Sequence, residues 1–215
     1  YQQSLDIALP EGIEGQYYVI VYADSDVEGA LANGASAVLG SVSGVRLNSD
    51  LAKEYRGEGN NLTVNPLQVI LRPAADLQVS AITIPQHALS GQTIEIGYRV
   101  ENRGAGATLS QTNNWTDRIY LSADAFLDLN ADRYLGQVQH TGALAAGAGY
   151  DQTVSGLRLP AGVTGSYYVF VVTDPITGAL RGQVYEAGNE TNNARPSDQP
   201  LLIELPPPAD LVVDS

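Results

Sequence analysis

The chain has 215 residues, 24 acidic against 11 basic side chains, a net charge of −13 and no cysteine. A phosphate backbone needs a basic stripe, and this acidic chain, with Lys53 its single lysine, has none, so nucleic acid is excluded as a partner. Disulfides and thiolate metal sites are excluded as well, and no apolar run reaches the roughly eighteen residues of a membrane-spanning helix.

In chain order, residues 1–9 alternate weakly up to Leu9-Pro10 and predict a strand. Leu9-Pro-Glu-Gly-Ile-Glu-Gly15 predicts a turn, and residues 16–23 a strand that is apolar on both faces and therefore central. Ser25 to Gly57 is a Gly/Ala/Ser-rich excursion. A short helix over Val27 to Leu39 is opposed by Gly29 and Gly34, so the stretch is expected to be an elaborated loop at one end of the fold. Leu67 to Leu71 predicts the next strand.

From Ala75 the pattern becomes regular. Asp76 to Ile84 is a strand with an irregular beat, and Pro85-Gln-His-Ala-Leu-Ser-Gly91 a turn. Thr93 to Val100 alternates, with Ile94, Ile96, Tyr98 and Val100 on one face. After the turn cluster Glu101-Asn-Arg-Gly-Ala-Gly106, Trp115 to Ser122 is a strand with Trp115, Ile119 and Leu121 on one face. An Asp-rich loop follows, then strands at 134–138, 150–159, 167–173 and 201–205. Seven short strands separated by turns, with no convincing helix, predict an all-β protein: an immunoglobulin-like seven-stranded β-sandwich.

The chain also repeats itself. Leu159-Pro-Ala-Gly-Val-Thr-Gly-Ser-Tyr-Tyr-Val-Phe-Val-Val-Thr-Asp174 answers Leu9-Pro-Glu-Gly-Ile-Glu-Gly-Gln-Tyr-Tyr-Val-Ile-Val-Tyr-Ala-Asp24. Tyr150-Asp-Gln-Thr answers Tyr1-Gln-Gln-Ser, and Glu190-Thr-Asn-Asn193 answers Glu58-Gly-Asn-Asn61. Pro207-Pro-Ala-Asp-Leu-Val-Val213 answers Pro73-Ala-Ala-Asp-Leu-Gln-Val79. A period this long suits one whole domain per repeat. The expected organisation is tandem: residues 1–74 the back half of one repeat with a loop insertion at 25–57, residues 75–208 a complete repeat, and residues 209–215 the first strand of a third. On this reading the chain is a piece of a longer array, and its half-repeat is completed by preceding residues, by packing on 75–208, or by another molecule. One donor is the 209–215 strand of a second copy, giving head-to-tail self-association.

Several of these residues together carry a family resemblance. They are Asp76-Leu-x-Val, Tyr98-x-Val-x-Asn102-x-Gly, Asp117-Arg-Ile-Tyr-Leu-Ser-x-Asp124-x-x-Leu-Asp128, Leu135-Gly, Leu159-Pro-x-Gly, Gly165-x-Tyr-Tyr-Val, Thr173-Asp174 and Glu190-x-Asn-Asn193. In this order they resemble CARDB, the cell-adhesion-related domain found in bacteria, across 75–208 and in the latter half of the preceding repeat. The resemblance implies a β-sandwich module of large exported or surface proteins, often in tandem and with no activity of its own. Its expected location is therefore extracellular or on the bacterial cell surface.

Chemistry has one leading candidate. Asp124, Asp128, Asn130 and Asp132 place oxygen ligands at close intervals, which suits calcium. An EF-hand is excluded, because Arg133 stands where that loop needs glycine and Gln139 where it needs a bidentate glutamate. The competing reading is that these side chains satisfy turn backbone. Asp76 and Asp210 stand at the repeat junctions, and Glu190 with Asn192 and Asn193 reads first as a turn. Trp115 belongs to the core by its strand parity, against the alternative of a sugar-stacking platform. His87 and His140 read as isolated solvated residues. No catalytic signature is present, so the expected function is a non-catalytic extender of an adhesin-like protein whose partners are neighbouring repeats. The alternative is a module binding a cell-surface glycan or protein through the 25–57 loop or an exposed aromatic.

Overall fold

A computed structural model of the chain describes residues 2, 4–22, 62–109, 113–177 and 181–208. Every regular element among them is a strand. The chain divides into two compact units, one formed by residues 13–71 and the other by residues 1–12 with 72–215.

Among the described residues, the smaller unit contains an antiparallel pair of β1 (Gly15–Tyr22) and β2 (Leu62–Val69), paired from Gly15 opposite Val69 to Tyr22 opposite Leu62. Gly12 at φ 74° and Gly15 at φ 106° shape the turn before β1, and their counterparts Gly162 and Gly165 sit at 78° and 113°. The repeated Leu-Pro-x-Gly-x-x-Gly thus folds the same way twice, because only glycine holds such angles without strain. Residues 4–10 form no strand, contrary to the expectation from their weak alternation. Leu5, Ile7 and Leu9 all stay exposed, so no apolar face is buried to hold that segment extended in a sheet. The 25–57 loop with its candidate helix, and the 209–215 strand, lie outside the described residues.

The larger unit holds all seven strands expected over 75–208, plus two short ones. One sheet runs β3 (Leu77–Thr83), β5 (Thr93–Asn102), β8 (Gly149–Arg158). The other runs β4 (His87–Leu89), β11 (Leu201–Glu204), β9 (Gly165–Thr173), β6 (Asn114–Ser122), β7 (Arg133–Thr141), with β10 (Ala194–Pro196) also on β9. The irregular beat of the first strand has a structural cause: the β3–β5 register shifts between Val79 and Ala81. The stretch Pro85–Gly91, expected as a turn, contains β4, which joins the opposite sheet by pairing parallel to β11. After Pro85 the chain changes layers, so the first strands contribute to both sheets.

The core is the apolar face of each sheet turned to the other. Leu77, Val79, Ile94, Ile96, Tyr98, Val100 and Leu157 from one sheet pack in a single buried cluster with Trp115, Ile119, Leu121, Val169, Val171, Leu201 and Ile203 from the other. A smaller cluster of Tyr120, Phe170 and Val172 lies on the outer face of the second sheet, where Leu127 packs against it and seats the Asp-rich loop.

Candidate functional site

The calcium candidates come first. Asp124 Oδ1 accepts the Phe126 N–H at 2.9 Å, and Asp128 Oδ1 accepts the Asn130 N–H at 2.9 Å. Asp132 Oδ2 accepts the Asp128 N–H at 2.7 Å, while the Asp132 N–H returns to the Asp128 carbonyl at 2.7 Å. The three carboxylates therefore cap turn backbone, the role that short acidic side chains fill in loops. Among the described residues no group of three or more His, Cys, Asp or Glu side chains is arranged to hold a metal ion.

Polar side chains converge instead at two interior points. The first is at the end of the larger unit where β3 begins. Glu186 is fully buried, and its carboxylate accepts the Leu77 N–H and, at 2.7 Å, Asn193 Nδ2. Glu190 accepts the Gly182 N–H at 3.0 Å and the Glu186 N–H at 3.3 Å. Asp174 accepts the N–H groups of Gln183 and Val184, both at 2.8 Å. Three carboxylates thus organise one irregular segment that has little regular secondary structure of its own. Burial pushes Glu186 up to about 8, opposed by its two hydrogen bonds and reinforced by the nearby charges of Glu190 and Asp174. Burial raises Asp174 as well.

Asn102 and Asn192 complete this end. Asn102 is fully buried; its Oδ1 accepts the N–H groups of Asp76 at 3.0 Å and Gly104 at 3.1 Å. Its Nδ2 donates to the carbonyls of Gly106 at 2.8 Å and of Leu144 and Ala145 at 3.2 Å. Asn192 Nδ2 donates to Asp76 Oδ1 at 2.9 Å. Motifs far apart in sequence therefore meet as fasteners of one strand start.

The second point is the core itself. Asp117 lies on the same strand face as Trp115, Ile119 and Leu121 and is 1% exposed. The hydroxyls of Tyr98 and Tyr150 both donate to its Oδ2 at 2.8 Å, and Trp115 Nε1 donates to the Tyr150 hydroxyl at 3.1 Å. Its Oδ1, and Thr173 Oγ1 on the neighbouring strand position, are buried without a hydrogen-bond partner. Burial drives the Asp117 carboxyl up, and burial together with the Asp117 charge drives the Tyr98 and Tyr150 phenols up. The His140 ring stacks on Trp115 at 4.0 Å and on Tyr150 at 4.1 Å between centroids. His140 is therefore a packing partner, not the isolated solvated residue expected. Trp115 is 1% exposed, in the core as its parity predicted.

Asp117 and Glu186 are the residues that sequence reasoning passed over. For Asp117 a signal existed, since alternation from Trp115 to Leu121 places it inward. Glu186 lies in an irregular segment where no periodicity applies.

These features define a class first: a two-layer all-β module whose buried polar groups fasten its own loops and strands. The family follows from comparison, because the CARDB family model matches residues 74–197, more than half of the chain. The chain belongs to the CARDB family. No curated protein is similar enough to count as a relative. Among solved structures, a CARDB domain from Pyrococcus furiosus in complex with di-metal ions is 18% identical over 61% of this chain and 90% of that one, with a TM-score of 0.41. A solution structure of that Pyrococcus furiosus domain is also 18% identical, covering 63% of this chain and 100% of its own, with a TM-score of 0.42. A β-glucosidase from Listeria innocua in complex with glucose is 13% identical over 61% of this chain but only 16% of the enzyme, with a TM-score of 0.33.

Proposed function

We propose that this chain is a non-catalytic extender of a large bacterial surface or secreted adhesin-like protein, built from tandem immunoglobulin-like sandwiches that pack end to end with neighbouring repeats. The observation that carries this reading is the internal use of its polar groups. Asp117, Asp174, Glu186, Glu190 and Asn102 all bind the chain's own strands and turns. Such fasteners tie the first strand of a module to its last loops, which suits a unit that must resist unfolding under load. The three prolines at Pro206-Pro-Pro208 favour an extended, semi-rigid junction to whatever follows. Calcium belongs to this proposal as a stabiliser held by Asp124, Asp128, Asn130 and Asp132. It requires the Asp132 carboxylate to exchange the Asp128 N–H for the ion.

A second reading, a module that binds a cell-surface glycan or protein, is favoured by one observation. Phe126 is 80% and Tyr134 53% exposed, and Tyr134 meets Tyr120 edge-on at 5.7 Å. Exposed aromatic faces of this kind suit stacking on sugars. Small-angle scattering from concatenated 75–208 units, run beside a glycan-binding screen, separates the two. An elongated particle without saturable glycan binding supports the extender. A compact particle, or glycan binding lost on Phe126→Ala or Tyr134→Ala, replaces it with the second reading.

A further inference from the structure

In the larger unit, an early strand and the last described strand lie side by side and run the same way. β4 is parallel to β11, with Leu202 opposite His87, Ile203 opposite Ala88 and Glu204 opposite Leu89. Every other strand pair described in this unit is antiparallel. Main-chain bonds close the parallel pair at both ends: the Leu202 N–H donates to the Gln86 carbonyl at 3.0 Å, and the Ser90 N–H to the Glu204 carbonyl at 2.7 Å. Ala88 and Ile203 from its middle are 7% and 1% exposed and belong to the core. The chain leading into β3 is laid on the turn that follows β5. The Gly106 N–H donates to the Ala74 carbonyl at 2.9 Å and the Arg103 N–H to the Asp76 carbonyl at 2.7 Å, and a side chain on Gly104 or Gly106 would collide with the backbone of residues 73–76. β5 spans the unit between its two ends: its last residue, Asn102, pairs with Leu77, and its first, Thr93, follows the turn that holds Glu204. The chain therefore enters this unit at one end and leaves it at the other.

Tension along the chain pulls β4 from its first residue and β11 from its last. In a parallel pair those are opposite ends, so all the bonds between the strands are sheared together. A pair pulled at one end opens bond by bond instead. We infer that the β4–β11 pair is a mechanical clamp, a parallel lock between the entering and leaving strands that sets the force at which the unit unfolds when stretched along the chain. The change of layer at Pro85 is what builds it: β3 is tied to the first sheet, and only after crossing can the entering chain reach β11 in the second. Sliding the pair also draws Ala88 and Ile203 out of the core, so apolar burial opposes the same motion. The direction of load rests on the extender reading, yet the clamp fails separately. Its absence would leave an elongated array without glycan binding intact, and a compact or glycan-binding array would leave the clamp measurable.

The chain has no cysteine, so two introduced thiols fix where handles for optical tweezers attach. The full chain is pulled in two geometries: Gln86→Cys with Leu205→Cys grips the pair at opposite ends, and Gln86→Cys with Gln199→Cys grips it at one end. All three positions are exposed, so none of these changes threatens the fold. The first rupture should need at least about twofold more force in the opposite-end geometry, because the whole ladder and not one bond resists. Ser90→Pro tests the bond itself. Leu89 to Gln92 is a turn with its Gln92 N–H on the Leu89 carbonyl at 2.9 Å and Gly91 at φ 78°, which places Ser90 where proline is favoured. The substitution removes the N–H that reaches Glu204 and should lower the opposite-end force while leaving the same-end force unchanged. Ser90→Ala, which loses only the hydroxyl bond to the Pro160 carbonyl, is the control and should change neither. Equal forces in the two geometries, or a Ser90→Pro that lowers both or neither, overturns the inference.

Discussion

Asn193 donates its side-chain amide to the Glu186 carboxylate at 2.7 Å, seven residues back, while its own Oδ1 stays buried without a partner. The pair is poised to share a proton. When Glu186 is protonated, a half-turn of the Asn193 amide offers Oδ1 as the acceptor that the new O–H requires.

Stability should therefore depend on pH in an unusual direction. Burial raises Glu186 from 4.5 to about 8, so between those values the folded chain holds a proton that the unfolded chain has lost. Stability is fully present below the unfolded value and declines as pH rises through the window, by at most about 1.4 kcal/mol per pH unit for this one group. Asp174 and Asp117 are shifted the same way and act with the same sign. Denaturant midpoints should be higher at pH 5 than at pH 8. Glu186→Gln should flatten the slope without loss of fold, because its amide can donate to Asn193 Oδ1. A wild-type profile that rises from pH 5 to pH 8 would contradict this.

Asn102 offers a test of the fasteners. Its amide joins the start of β3, its own turn and the Leu144–Ala145 loop. Asn102→Ala leaves several buried backbone groups unpaired and should cost about 3 kcal/mol, read as a lower midpoint at unchanged m-value. Asn102→Asp should cost at least as much, since it turns a carboxylate oxygen toward three carbonyls. A loss below about 1 kcal/mol for the alanine variant would mean that water replaces the amide.

The position of Trp115 predicts its spectroscopy. Iodide should leave its emission unquenched in the folded chain and quench it after unfolding. Trp115→Ala should cost about 3–5 kcal/mol, because the side chain is fully buried and carries His140 and Tyr150 against it. Quenching in the native state would return Trp115 to the surface and to sugar binding.

Calcium can be decided by melting. At a hundredfold excess over its dissociation constant the ion should add about 2.7 kcal/mol, and Asp128→Asn together with Asp132→Asn should abolish the gain. A midpoint indifferent to both calcium and EGTA would leave Asp124, Asp128 and Asp132 as turn caps alone.

What the sequence alone determined is whatever depends on near neighbours along the chain. Alternation from Ile94 to Val100 and from Trp115 to Leu121 settled which side chains face inward, because successive residues of a strand must point to opposite sides. The repeated turn settled that Gly12 and Gly162 adopt the same backbone angle, and the order of motifs carried the family. Only the tertiary structure decided which distant segments meet. That Glu186 reaches the Leu77 N–H across 109 residues has no local signature, because stacking of the two sheets, not any short stretch, brings those backbones together. The same holds for His140, whose strand predicts an edge and whose ring is held between aromatics from β6 and β8. The change of layer at Pro85 also belongs here, since the partner that draws β4 to the second sheet is β11, more than a hundred residues later. A strand's inward face is a matter of parity, but its partners are chosen by the closing of the whole core.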